Sequence, residues 1–88
     1  MNVVTMQIER QVITLLDDVL NLKGRAAAFD RGTVLLGAVP ELDSMAVANV
    51  LAALEERFGF VVADDEIDGA VFESVATLTS FVQHKLQG

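Results

Sequence analysis

The sequence contains no cysteine, no tryptophan and no tyrosine, and its single histidine is His84. Without cysteine, neither a disulfide framework nor a thiolate metal site can stabilise the chain. His84 has no second histidine or thiol with which to form a metal site, and the side chains that most enzymes use for catalysis are nearly absent. We therefore expect no catalytic residue, no metal site and no enzymatic activity. Any reactive thiol must come from outside the chain.

Basic residues are also few. Six lysines and arginines stand against thirteen aspartates and glutamates, and the net charge is −7. This balance argues against a nucleic-acid-binding surface and favours partners that carry basic patches. A general role of acidic charge in solubility explains the composition equally well.

Long apolar runs and targeting signals are missing as well. The uncharged run over residues 44–54 is well short of the ~20 residues that a membrane helix needs. Residues 1–5 lack the basic and apolar stretches of a secretory signal peptide. We therefore expect a cytoplasmic protein that does not insert into a membrane.

The sequence does contain helical periodicity. Its 88 residues suit one domain, and we assign residues 1–88 to a single domain. Apolar residues that recur every three or four positions predict a first helix over about residues 4–21, with Gly24 as its stop. The inward positions of this helix are Ile8, Val12, Leu15, Val19 and Leu22.

The connection that follows, residues 23–42, is longer than most loops in compact domains. Its apolar side chains predict a loop that is pinned across the bundle, with a short helical turn near residues 26–29 or 33–36. These apolar residues are Phe29, Val34, Leu35 and Leu36.

The rest of the chain predicts three more helices. The second covers residues 44–58, a short third one begins at Asp64 or Asp65 and reaches about Val71, and Ser74 can cap the last one. The inward positions are Val47, Val50, Leu51, Leu54 and Phe58 in the second helix and Val75, Leu78, Phe81, Val82 and Leu86 in the last. An all-α fold results, with three longer helices and one short helix around one core.

The junction before the second helix carries the most informative motif, Asp43-Ser44-Met45. Asp43 is a good N-cap, so Ser44 falls in the first turn, among unpaired backbone N–H groups at the positive end of the helix dipole. A phosphodiester built on its hydroxyl would be stabilised there. Taken alone the tripeptide is a weak signal, because Asp-Ser before a helix is common capping chemistry.

The acidic run at residues 64–69 resembles the start of a calcium loop. Its twelfth position is Val75, where an EF-hand requires a bidentate glutamate, and we therefore reject a dedicated calcium site. We interpret the acids as a solvated helix start without nearby partners in the sequence. A weak effect of divalent cations on these crowded carboxylates remains open.

Over residues 5–86 the order and spacing of several segments resemble acyl carrier proteins and the carrier domains of polyketide and peptide synthetases. The segments are Asp43-Ser44-Met45, the helix that runs to Leu54-Glu55-Glu56-Arg57-Phe58-Gly59, the acidic Asp64-Asp65-Glu66-Ile67-Asp68, and Phe72-Glu73-Ser74-Val75. The resemblance implies a four-helix acyl-carrier-like bundle.

The resemblance also implies a chemistry. In that family the serine of an Asp-Ser-Leu motif carries 4'-phosphopantetheine, which comes from coenzyme A, and by position that serine is Ser44. Asp43 and Met45 are then its neighbours at the cofactor. The implied partners are a phosphopantetheinyl transferase and the acyl-loading, synthase or acyltransferase enzymes that use the thioester, and we expect a monomer.

Two departures from the family bear on the pathway. Met45 stands where the family usually has leucine, and it suits the core and an adaptable contact with partners equally well. Carrier proteins of fatty-acid synthesis tend to have acids after the serine, whereas this chain has none between Met45 and Leu54. Partner choice should then depend on apolar contact and shape more than on charge.

This neutral stretch favours a specialised pathway over housekeeping fatty-acid synthesis. The segment over residues 35–45 is similar to carrier proteins that accompany exosortase and exopolysaccharide gene clusters. The alternative function, from another class, is an unmodified helical protein-interaction module that keeps the carrier fold.

Overall fold

Three α-helices form the frame of the molecule in a computed structural model, which describes residues 3–87 and, of Asp64, only the backbone. Helix α1 spans Val3–Leu20, α2 spans Ser44–Phe58 and α3 spans Val75–Gln87. Short 3-10 turns lie at Arg25–Ala28, Asp64–Glu66 and Gly69–Phe72. The predicted all-α fold is confirmed, with 3-10 turns in the connections.

Helix α1 packs against both α2 and α3. The core is made of aliphatic side chains from the three helices and from the connections, together with one phenylalanine. These residues are Ile8, Val12, Leu15, Leu16, Leu20, Leu22, Ala26, Leu35, Leu42, Val50, Leu54, Phe72, Val75, Leu78 and Val82. The predicted inward faces of α1 and α2 therefore point to the core, with Val19, Val47, Leu51 and Phe58 at its edge.

Helix α1 ends earlier than the glycine signal predicts. Asn21 adopts a left-handed φ of 56°, and the Leu22 N–H donates to the carbonyl oxygen of Asp17 at 3.0 Å. This is the Schellman pattern, in which the left-handed residue is usually glycine and sometimes asparagine. Gly24, with φ of 89°, instead precedes the Arg25–Ala28 turn.

The long connection is pinned, as predicted, but by its backbone as much as by its side chains. The N–H groups of Leu35 and Leu36 donate to carbonyl oxygens of Glu73 and Phe72 at 2.9 and 3.0 Å, and an isolated β-bridge joins Val34 to Ser74. Leu35 is buried, whereas Val34 and Leu36 are exposed. The segment before α3 therefore holds the middle of the loop in place.

The short helix predicted to reach Val71 forms instead as two 3-10 turns. The Asp68 carboxylate accepts the Ala70 N–H at 2.9 Å, which starts a new turn at Gly69. A glycine and an internal cap together interrupt an α-helix here. The capping role predicted for the Asp64 side chain lies outside the described residues.

Helix α3 begins where the sequence predicts. The Ser74 hydroxyl accepts the Thr77 N–H at 3.2 Å, as expected of an N-cap. The inward face differs from the predicted one at two positions, because Thr79 is buried and Leu86 is 44% exposed. In the part of the chain that is described, no helix is long and apolar enough to cross a membrane.

Candidate functional site

Asp43 sets the start of α2. Its backbone is extended, with φ of −99° and ψ of −175°, and its Oδ1 accepts the Ala46 N–H at 2.8 Å. Its carbonyl oxygen accepts the first bond of the helix, from the Val47 N–H at 2.9 Å. The predicted N-cap is therefore observed, and it fixes Ser44 as the first residue of the helix.

Ser44 is exposed at this position. Among the described residues, no hydrogen bond engages its hydroxyl, and the N–H groups of Ser44 and Met45 have no acceptor. Unpaired N–H groups and the helix dipole together give this end a partial positive charge. The arrangement suits an anionic group attached to the serine oxygen.

Met45 is 78% exposed, so it does not serve the core. Asn49, one turn further along α2, is also exposed, whereas Ala46 is half-buried against the core. The first turn of α2 carries no acidic residue. The surface next to Ser44 is therefore a neutral face, a name that we keep for Met45, Ala46 and Asn49.

The loop in front of the serine is held at two buried points. Leu35 and Leu42 lie in the core. Between them, the Val39 N–H donates to Leu35 at 2.9 Å and the Leu42 N–H donates to Val39 at 3.0 Å. Gly37, with φ of 89°, makes the turn that these bonds require. Two consecutive turns thus bring the chain to Asp43.

A side-chain contact adds to this loop, and sequence reasoning missed it. The Arg25 guanidinium donates to the Glu41 carboxylate, 16 positions away. This contact holds the pKa of Glu41 below its ordinary value. Opposite charge is the only signal in the sequence, and it does not say which of six basic residues meets which acid.

The acidic residues after α2 and His84 were the other candidates for a site. Glu66 and Asp68 are engaged in hydrogen bonds to backbone N–H groups of Ala63 and Ala70. Within the described part of the chain, no group of three or more histidine and acidic side chains is placed to hold a metal ion. His84 is exposed near the end of α3.

A groove borders α2 on the side of the following connection. It has a volume of about 370 Å³ and is lined mainly by small and aliphatic side chains: Ala48, Leu51, Ala52, Glu55, Val62, Ala63 and Ile67. The Glu55 carboxylate accepts the Val62 N–H at 2.7 Å and so joins the two walls.

Comparison with known proteins identifies the family. A scan against protein-family models gave no match, and a search of curated proteins gave none. Among solved structures, the chain is similar to a holo acyl carrier protein from Nitrosomonas europaea, whose structure was determined in solution by NMR. The two are 52% identical with a TM-score of 0.84, over 92% of this chain and 96% of the other. The chain therefore belongs to the acyl carrier protein family.

Proposed function

We propose that Ser44 is the attachment site of 4'-phosphopantetheine and that residues 1–88 form one carrier domain. The observation that carries the proposal is an exposed serine with a free hydroxyl at the Asp43-capped start of α2. Family membership supports the group itself, because 4'-phosphopantetheine is the prosthetic group of holo acyl carrier proteins. When bound, its thiol holds acyl or aminoacyl groups as thioesters.

The residues of the site fit an attached phosphodiester. Asp43 uses one carboxylate oxygen on Ala46 N–H and keeps the helix start in register. The N–H groups of Ser44 and Met45 remain to face the phosphate, and the helix dipole favours its charge. Asp43 and Met45 are thus neighbours of the group, Asp43 through the backbone that it orders and Met45 through its exposed side chain.

The chain presents the attached group to partner enzymes and carries out no catalytic step itself. Members of the family are carriers and not enzymes, which confirms the expectation drawn from the composition. A serine needs an adjacent base to act as a nucleophile. We therefore assign the base that deprotonates Ser44 to a phosphopantetheinyl transferase, which uses coenzyme A.

We further propose partners chosen by shape. The neutral face at Met45, Ala46 and Asn49 presents an apolar side chain and an amide to enzymes that load, extend or accept the acyl group. This supports a specialised pathway, such as one associated with exosortases or exopolysaccharides, over fatty-acid synthesis. A cytoplasmic monomer that binds neither nucleic acid nor membrane completes the proposal, and the groove along α2 offers apolar surface to a carried chain.

The test is the intact mass after incubation with a broad-specificity transferase and coenzyme A. The parent chain should gain one phosphopantetheine, and Ser44→Ala should gain none while its melting temperature stays close to that of the parent. Ser80→Ala is the matched control, because Ser80 is an exposed helical serine in α3 and should not affect loading. Label on Ser74 or Ser80 would refute the assignment. No added mass in the parent would favour the unmodified interaction module.

A further inference from the structure

We propose that the ion pair between Arg25 and Glu41 positions the loop in front of Ser44 for the enzyme that loads it. This inference rests on the proposed attachment at Ser44. The pair joins two distant segments of the sequence. Glu41 lies three residues before Ser44, whereas Arg25 lies in the 3-10 turn that follows α1.

On one side, Arg25 is held by the end of α1. Its Nε donates to the carbonyl oxygen of Leu22 at 3.1 Å. The turn that carries Arg25 is itself fixed, because the two carboxylate oxygens of Asp17 accept the N–H groups of Gly24 at 3.2 Å and of Ala26 at 3.1 Å. Asp17 therefore anchors the turn to α1, and the guanidinium extends from a defined place.

On the other side, Glu41 is two residues before the N-cap Asp43. Its neighbour Leu42 is buried, whereas Gly37, Ala38 and Pro40 are exposed. Between the buried Leu35 and Leu42, the apolar side chain that packs against the core is that of Val39, which is partly buried. A contact from Arg25 to Glu41 joins this stretch to α1, the helix that packs against both others.

The energetics assign the pair a local role. The two side chains are 61% and 32% exposed, and exposed ion pairs add little to the stability of a whole protein. We therefore expect the core side chains to remain in place when the pair is lost. Loss of the pair should widen the range of conformations that the loop before Ser44 adopts. A loading enzyme must bind Ser44 together with this loop, so a wider range should slow loading.

The experiment uses four variants of the full chain. Arg25→Gln and Glu41→Gln each break the pair, the double variant Arg25→Glu with Glu41→Arg restores it in reverse, and Arg10→Gln removes an exposed arginine of α1 as a control. The measurements are kcat/KM for loading by the transferase with coenzyme A, amide hydrogen exchange over residues 37–45, and the melting temperature.

We expect each single variant to be loaded about two- to fivefold more slowly, the range that an exposed ion pair allows. Hydrogen exchange of the loop should rise while the melting temperature stays near that of the parent. The reversed pair should regain most of the rate, and Arg10→Gln should match the parent.

Three results would overturn the inference. Equal loading in all variants would show that the pair does not position the site. A loss confined to Glu41 variants, without rescue by the reversed pair, would show that the transferase contacts Glu41 directly. Failure of the parent chain to be loaded would refute the proposed function itself, and the inference with it.

Discussion

At the scale of single residues, α2 separates its two tasks sharply. Leu54 and Met45 are both large apolar residues of this helix, but Leu54 is completely buried and Met45 is 78% exposed. Phe58, at the end of the helix, is half-buried, and its ring stacks on Phe60 with centroids 6.2 Å apart. One face therefore maintains the fold and the other is available to partners.

Leu54→Ala should destabilise the protein by about 2–5 kcal/mol, because it removes buried methyl groups and leaves a cavity. Against a total stability of about 5–15 kcal/mol this loss is severe. Met45→Ala, the matched control on the exposed face, should change stability by about 0.5 kcal/mol or less. Denaturant unfolding measures both. A cost below about 1 kcal/mol for Leu54→Ala would contradict its place in the core.

At the scale of elements, the connection between α2 and α3 is held by side chains that are distant in sequence. The Lys85 ammonium of α3 donates to both carboxylate oxygens of Glu66, at 2.8 and 3.0 Å. The sequence offers Glu66 no nearby partner, and the fold supplies one from 19 positions away. Lys85 and the Ala63 N–H hold the pKa of Glu66 below its ordinary value, Lys85 with the larger effect.

Acid should break the ion pair between Glu66 and Lys85, which we call the tether. Because the pKa of Glu66 is lower in the folded than in the unfolded chain, its contribution to stability is present above the unfolded pKa and is lost as the pH falls through the folded one. Lys85→Gln should therefore lower the melting temperature at neutral pH, and the gap to the parent should close below about pH 4. Lys23→Gln is the control without this partner. A gap for Lys85→Gln that is independent of pH would contradict the tether.

The same scale shows what the sequence could predict. The bounds of α2 and its capping by Asp43 follow from local chemistry, since periodicity, a capping aspartate and Gly59 all agree. The end of α1 and the turns at 64–72 were harder, because Asn21 and Asp68 compete with the glycine signals. The position of Ser44 at the start of α2 follows from its motif, and its role as the attachment site stays a prediction. The pairs Arg25 with Glu41 and Lys85 with Glu66 depend on how distant segments meet, which no local pattern encodes.

At the scale of the whole molecule, negative charge remains in excess. Three of the six basic residues, Arg25, Arg31 and Lys85, form ion pairs in the described structure. The net charge of −7 is unchanged by such pairing, and self-repulsion of this kind disfavours the compact state.

Moderate salt or millimolar divalent cation should therefore raise the melting temperature by a few degrees, because screening reduces repulsion between exposed acids. Asp65 and Asp68 are exposed members of this set. Thermal melts at increasing sodium chloride decide the matter, and a melting temperature that stays flat or falls would contradict it. Saturable calcium binding at micromolar concentration would overturn the rejection of a calcium loop.

The neutral face predicts that the protein is a poor substrate for the enzymes of fatty-acid synthesis. The loaded protein should be a weak substrate for a housekeeping malonyl transferase, and the double variant Ala46→Asp with Asn49→Glu should improve it through a faster association rate. The gain should shrink as salt shortens the Debye length to about 8 Å. Transfer rates at two ionic strengths measure this.

A matched double variant, Ser80→Asp with Gln87→Glu, adds the same charge to exposed positions of α3 and should give no comparable gain. Melting curves must accompany the test, because Ala46 is half-buried. Efficient transfer by the parent, or equal rates for parent and variant, would favour a role in fatty-acid synthesis over a specialised pathway.

The hydrogen bond from the Thr5 hydroxyl to Gln83 spans 78 positions, and it bears on the order of events during synthesis. Contacts between α1 and the Arg25–Ala28 turn close a short loop, whereas α3 can dock only after nearly the whole described chain has emerged. Residues 31–36 pair with the segment that leads into α3. In a nascent chain Ser44 therefore emerges before residues 31–36 can pair with that segment. We expect loading by the transferase to become efficient only after this pairing has formed.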